Sequence, residues 1–300
     1  MSTVTERILQ LKKEKNAVIL AHNYTSSDIQ DAADYVGDSL GLSIRAAESD
    51  ADVIVFCGVS FMGETAKILS PEKTVLLPEP EARCAMASMC NAEQIRHARQ
   101  KNPGAAVVGY VNSTAESKCG MDICCTSSNA VAVVNSLKQK DVIFAPDMNL
   151  GAYVASKTDK NIILWDGFCP VHQSITVRQV CALKEMHPGA KILAHPECRP
   201  EVLALADGIG STEKMLAMAG EVDSEDVIIL TEVGMRHRLE ALHPLKRFHF
   251  PIQAVCMTMK MIELESVVNA LETFSGEVVL DPNVLKGAYA SVKRMIELRD

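Results

Sequence analysis

The chain has 300 residues, 48% apolar and 23% charged, which suits a globular protein with one to three cores of ~100–150 residues each better than a single small core. A net charge of −8 and only 4% aromatic residues argue against a nucleic-acid binder, yet leave room for a small anionic substrate in a locally basic or amide-lined pocket. No apolar leader with a small-residue cleavage site opens the chain. Its longest apolar runs, such as Val53–Phe56 and Val227–Leu230, are strand-sized. No signal peptide, membrane helix or membrane partner is therefore expected, and the expected compartment is the cytoplasm.

In chain order, Ala17–Ala21 reads as a strand and Ser26–Leu42 as a helix opened by capping residues. Asp52–Cys57 is a second strand, Met62–Leu69 a helix and Thr74–Leu77 a third strand. A second round follows with strands at Gly104–Val111, Asp122–Cys125, Asp141–Ala145 and Asn161–Trp165. A third round has Ala190–Ala194, Asp207–Gly210, Asp226–Thr231 and Arg247–Val255. Gly276–Asp300 reads as a strand and an amphipathic helix that packs back on the first round. Near-continuous apolar strands alternating with helices are the pattern of parallel sheets covered on both faces.

Three features recur in register. The first strand of each round ends in a polar triplet: His22-Asn23-Tyr24, Tyr110-Val111-Asn112 and His195-Pro196-Glu197. The second ends in a turn that opens a helix, read at Gly58–Glu64, Thr126–Asn129 and Gly210–Glu213. The last runs into a cysteine: Cys84, Cys169 and Cys256. The first and third features repeat at steps of 88 and 85 and of 85 and 87 residues, a period that points to an internal repeat. The expected fold is α/β: three similar αβα domains with parallel sheets in pseudo-threefold arrangement around a central cavity. The domain spans are 1–86, 87–171 and 172–257, followed by a C-terminal segment, 258–300. Ligands gather at the carboxyl ends of parallel strands, so all three features should face that cavity.

Ten cysteines in a reducing compartment point to metal binding, catalysis or buried thiols rather than disulfides. One cysteine from each round meeting at one point is a metal-site pattern, and soft thiolates select iron–sulfur clusters, zinc or Cu(I). A cluster held by three thiolates leaves one iron without a protein ligand, able to act as a Lewis acid in dehydration. The histidines, tyrosines and glutamate of the triplets supply general acids and bases, and Ser127 and Thr212, where helices begin, suit a phosphate. Singly, each such residue is ordinarily a hydrogen-bonded structural group or a helix cap. Recurrence in register is what singles them out.

The stretches AHNYTSSDIQDAADYVGDS, FCGVSFMGETAKILSPEKTVLLPEPEARCAMASM, VGYVNSTAESK, CCTSSNA, ILWDGFCPVH, ILAHPEC, GSTEKML and ILTEVG span almost the whole chain and resemble the quinolinate synthase family. The resemblance implies condensation of iminoaspartate with dihydroxyacetone phosphate to quinolinate in NAD biosynthesis, with loss of phosphate and two waters. It also implies a [4Fe-4S] cluster held by Cys84, Cys169 and Cys256. Acid–base work would fall to Tyr24, Tyr110, His195 and Glu197, and substrate binding to His22, Ser39, Asn112, Ser127, His172 and Thr212. A transient contact with L-aspartate oxidase is a further expectation. Cys90, Cys119, Cys124 and Cys125 are additions to the family pattern and leave open an alternative ligand or a regulatory disulfide; Cys198 is read as a buried thiol. Two readings from other classes compete with this one: a thiol-based redox-sensing protein and a zinc-dependent hydrolase using the same cysteines with His195.

Overall fold

The computed structural model describes residues 3–298, so Met1, Ser2, Arg299 and Asp300, the outermost residues of the first and last expected spans, lie outside it. Among the described residues twelve strands form three parallel four-stranded sheets flanked by helices, which makes the fold α/β with three similar αβα units. The first sheet has β1 (Ala17–His22), β2 (Tyr35–Gly37), β3 (Val53–Cys57) and β4 (Thr74–Leu76). The second has β5 (Ala106–Tyr110), β6 (Ile123–Cys125), β7 (Asp141–Ala145) and β8 (Asn161–Leu164). The third has β9 (Lys191–Ala194), β10 (Gly208–Ile209), β11 (Asp226–Leu230) and β12 (Arg247–His249). The strand order is the same in each: β2-β1-β3-β4, β6-β5-β7-β8 and β10-β9-β11-β12. The direction of winding reverses between the first and third strand of every unit, which opens a crevice at their carboxyl ends. The central strands carry Val, Ile, Leu and Phe because helices cover both faces; β3 and β5 are buried along their whole length.

The long helix expected over Ser26–Leu42 is two helices, Ser27–Ala32 and Ser39–Glu48, with β2 between them. Four residues explain the break. The Asp34 carboxylate accepts the Ile19 N–H at 2.8 Å and pairs with Lys12 at 2.5 Å, which pins the chain beside β1. Tyr35 and Val36 favour an extended backbone. Asp38 then accepts the Gly41 N–H at 2.8 Å and caps a new helix, an interaction of about 1 kcal/mol. In consequence the turn at Gly58–Glu64 follows a third strand, and the counterpart of Thr126–Asn129 and Gly210–Glu213 is Gly37-Asp38-Ser39. Register makes this concrete, with His22 opposite Gly37, Tyr110 opposite Cys125 and Ala194 opposite Ile209. Ser39 and Ser127 stand two residues beyond the partner of the first-strand end, and Thr212 stands three beyond it.

Two further expectations are corrected. The strand read over Arg247–Val255 stops at His249, because Pro251 has no N–H to give the ladder and the chain turns back, with Val233 N donating to Ala254 O at 2.9 Å. The strand expected after Gly276 is only a single antiparallel bridge between Leu76 and Glu277. The helix Pro282–Glu297 that follows packs on the first unit's helix Ser60–Leu69, and equally on β6 and the helix Ala115–Lys118 of the second. It therefore joins two units rather than returning to one. Ala288, Ser291, Val292 and Met295 form its buried face, and Asn129 ties its end by donating to the Met295 and Leu298 carbonyls at 3.0 Å each.

The cores follow the same division. One continuous cluster runs through the first two units and the C-terminal helices, whereas the two faces of the third sheet have clusters of their own.

Candidate active site

At the carboxyl ends of the three sheets lies a cavity of about 290 Å³, and all thirteen residues singled out from the sequence line it. The β1 and β9 triplets build the same device. The Tyr24 N–H donates to His22 Nδ1 at 3.2 Å, and the Glu197 N–H donates to His195 Nδ1 at 3.3 Å. A ring nitrogen that accepts carries no proton, so in the neutral imidazole the proton sits on Nε2. Burial drives both pKa values down to about 3, keeping the rings neutral. His195 Nε2 is 3.2 Å from Ser127 Oγ, and both histidines line the cavity.

Glu197 is the hub. It is buried, accepts a very short hydrogen bond from the Tyr110 hydroxyl, and has His172 Nδ1 2.9 Å from Oε2, close but without the alignment of a hydrogen bond. Burial opposes its ionisation, yet the His172 ring and the Tyr110 hydroxyl outweigh that and hold its carboxyl below the usual range. Burial and the Glu197 charge push the Tyr110 and Tyr24 phenols well above their ordinary value, so both stay protonated. The chain of contacts continues: His172 Nε2 meets Thr231 Oγ1 at 2.8 Å, and Thr231 meets the Tyr24 hydroxyl at 2.6 Å. Tyr110, Glu197, His172, Thr231 and Tyr24 thus form one connected polar path across all three units. The His172 and His195 rings stack at 4.7 Å beside it.

The helix-opening residues meet neighbouring units. Asn23 donates to Thr212 Oγ1 at 2.8 Å, and Ser128 donates to Asp38 Oδ2 at 2.7 Å. Ser39 and Thr212 are first residues of their helices, Ser39–Glu48 and Thr212–Glu221. Ser127 differs from the expectation: its helix, Ala130–Asn135, begins three residues later, so it lies in a turn rather than at a helix start. Asn112 Oδ1 is buried without a partner, an acceptor left for whatever enters the cavity.

Cys84, Cys169 and Cys256 are free thiols on loops beyond β4, β8 and β12, and all three line this cavity. Burial pushes the Cys84 thiol up to about 12, and Cys256 adds to the effect through its charge; burial also raises Cys169, where Glu197 and Cys84 contribute. Three soft donors close enough to perturb one another electrostatically, each from a different unit, fit a metal cluster better than they fit a structural pair. The ligand atoms of Cys169, His172 and Glu197 also lie within 4.8 Å of one another, a group able to hold a metal ion. Cys90, Cys124, Cys125 and Cys198 are buried outside the cavity lining, Cys119 is exposed, and all ten cysteines are free.

Sequence reading missed Asp38, which lines the cavity, and Thr231, which joins Tyr24 to His172. Asp38 was legible as the capping residue of a helix start, had the short β2 been seen. Thr231 directly follows an apolar strand, the position that after β9 carries His195.

Comparison with known proteins agrees over nearly the full length. The family profile described as "Quinolinate synthetase A protein" matches residues 6–297. A protein of Methanosarcina barkeri named quinolinate synthase is 52% identical over 98% of this chain and 97% of its own. One of Dehalococcoides mccartyi is 50% identical over 98% of both chains, and one of Aquifex aeolicus is 47% identical over 98% of this chain and 93% of its own; both carry the same name.

Proposed function

The chain belongs to the quinolinate synthetase A family of enzymes, and on that premise we propose that it condenses iminoaspartate with dihydroxyacetone phosphate to quinolinate, releasing phosphate and two waters, in NAD biosynthesis. The observation that carries the reading is the single cavity in which three free thiols, one from each unit, face a connected path of buried acids and bases. Cys84, Cys169 and Cys256 would hold a [4Fe-4S] cluster, which when bound supplies Lewis acidity that helps a hydroxyl depart as water.

The other residues do the binding and the proton handling. Hydroxyls and backbone N–H groups at Ser39 and Thr212, with Ser127 in its turn, receive phosphate and carboxylate oxygens. The Asn112 amide takes up a polar group of the dicarboxylate, its free Oδ1 accepting and its nitrogen donating. His22 and His195 hold Nε2–H donors ready and stay neutral, so they stabilise developing negative charge without adding a fixed cation. Glu197, ionised, and Tyr110, kept as a phenol, form a base and acid pair. Tyr24, Thr231 and His172 extend that pair into a route by which protons move between isomerisation, ring closure and dehydration. The burial of the network keeps bulk water from competing for those hydrogen bonds.

Placement in the cytoplasm is part of the same proposal and is supported by ten unpaired cysteines, as a reducing compartment requires. Among the described residues no helix is long and apolar enough to cross a membrane. The unit boundaries at 86/87, 171/172 and 257/258 and the contact with L-aspartate oxidase also stand as proposals.

The test uses anaerobically purified protein. A brown colour, a broad band near ~400 nm and its loss in Cys84→Ala, Cys169→Ala and Cys256→Ala are expected, together with quinolinate formation from the two substrates. Any one variant keeping normal iron and turnover removes that residue from the ligand set. A colourless protein with one equivalent of zinc favours a single ion at Cys169, His172 and Glu197 and defeats the cluster reading.

A further inference from the structure

Asp147 and Glu232 occupy equivalent places in the second and third units. Ala145 pairs with Gly109 and Leu230 with Ala194, the residues just before Tyr110 and His195, and each carboxylate follows two residues later. Both side chains are completely buried. Each divides its oxygens in the same way. Asp147 Oδ1 accepts the Leu150 N–H at 2.7 Å and so caps the next helix, while Oδ2 accepts the Cys169 N–H at 3.2 Å. Glu232 Oε2 accepts the Gly234 N–H at 2.6 Å, while Oε1 accepts the Cys256 N–H at 3.0 Å.

The Glu232 cradle is tight. A Cβ on Gly234 would stand 2.7 Å from Glu232 Oε2 and 2.9 Å from Lys260 Nζ, so no other residue fits that place without displacing them. Lys260 in turn reaches Glu232 at 3.0 Å and the Tyr24 carbonyl at 2.6 Å, linking the Cys256 loop to the wall of the cavity. The first unit has Val59 at the corresponding place, whose side chain has no acceptor, and there a main-chain bond, Ser60 N to Ala82 O at 2.8 Å, ties the two loops together.

We propose that Asp147 and Glu232 are positioning residues for the cluster: each fixes the backbone of one ligand cysteine against a helix start, so that two of the three ligand loops are held by buried carboxylates, whereas the loop of Cys84 is tied through the main chain at Ala82. The inference rests on the reading that these three cysteines hold the cluster. A buried acceptor on the cysteine N–H stops the loop from rotating its Sγ away when a ligand bond breaks. It thereby slows loss of iron.

The experiment compares cluster-loaded wild type with Asp147→Ala, Asp147→Asn, Glu232→Ala and Glu232→Gln. It follows iron release to a chelator under anaerobic conditions and records the electron paramagnetic resonance spectrum of the reduced cluster. Release about 10-fold faster is expected in the alanine variants, with an altered spectrum, and an intermediate rate in the Asn and Gln variants, which keep one acceptor oxygen. Should an alanine variant fail to fold by circular dichroism, its amide partner carries the test. Release rates and spectra equal to wild type in the folded variants overturn the proposal. Wild-type protein that takes up no iron overturns the cluster reading itself, and this inference with it.

Discussion

The two seams of this molecule are made of different material. Between the first and second units the contact is mainly apolar, with a few bonds such as Ser128 to Asp38 at its edge, a continuous core sealed by the helix Pro282–Glu297, whose Ala288, Val292 and Met295 are wholly buried. Between the third unit and the other two it is largely polar. Asn23 reaches Thr212, Tyr110 reaches Glu197, Tyr24 reaches Thr231, His195 reaches Ser127, and Arg238 bonds both Glu213 and Asn23. The difference shows where chemistry can be put. Apolar packing supplies stability but leaves no free donor or acceptor, so the acid–base groups gather on the polar seam, where bonds between units can be exchanged for bonds to a substrate.

The largest effect should come from the hub of that seam. Glu197→Gln removes the charge that faces His172 and Tyr110 while keeping the shape, and turnover is expected to fall by about 10²–10⁴-fold with little change in unfolding temperature. Steady-state assays beside a thermal melt decide it; a variant that melts early with normal specific activity would make Glu197 a structural residue and blur the contrast.

The apolar seam should answer the other way. Met295→Ala opens a cavity in the shared core, and a loss of about 2–5 kcal/mol is expected in urea unfolding, with kcat nearly unchanged in the folded fraction. If the loss is under 1 kcal/mol, the C-terminal helix is not what seals the two units.

Acid should loosen the polar seam first. His22 and His195 have folded-state pKa values near 3, against about 6.5 in an unfolded chain. Above pH 6.5 neither state is protonated and they add no slope. Between pH 6.5 and 3 the unfolded chain binds protons that the folded one refuses. Stability should therefore fall as pH drops, by up to about 1.4 kcal/mol per pH unit for each histidine. Burial pushes the carboxyls of Asp147 and Glu232 up, with the opposite slope, so unfolding at pH 7.5, 6 and 5 is compared between wild type and His22→Gln and His195→Gln variants; identical profiles would mean that the two rings are not buried as neutral groups.

The smallest effect is expected at the rim. The Arg238–Glu213 pair is partly exposed, so Arg238→Ala should lower stability by under about 1 kcal/mol while raising KM through a loosened Asn23–Thr212 contact. Equal losses from Arg238→Ala and Met295→Ala would end the distinction between the seams.

The sequence determined what depends on local spacing. Apolar runs marked most of the strands. The recurrence of polar triplets and terminal cysteines pointed to three units, and residues such as His22, Tyr110, His195 and Cys169 could be named because a strand end fixes which way the chain faces. It was silent wherever an element was too short to show a period. Three-residue β2 was read as helix, which shifted the helix-opening counterpart from Asp38–Ser39 to Gly58, and β12 was drawn too long past Pro251. Only the tertiary structure decided which groups meet. Asn23 finds Thr212 across 189 positions, Tyr110 finds Glu197 across 87, and Asp147 and Glu232 prove to be partners of cysteine N–H groups rather than surface acids. Such contacts come from packing three sheets so that their strand ends share one cavity, and no local pattern records how separate units will close on each other.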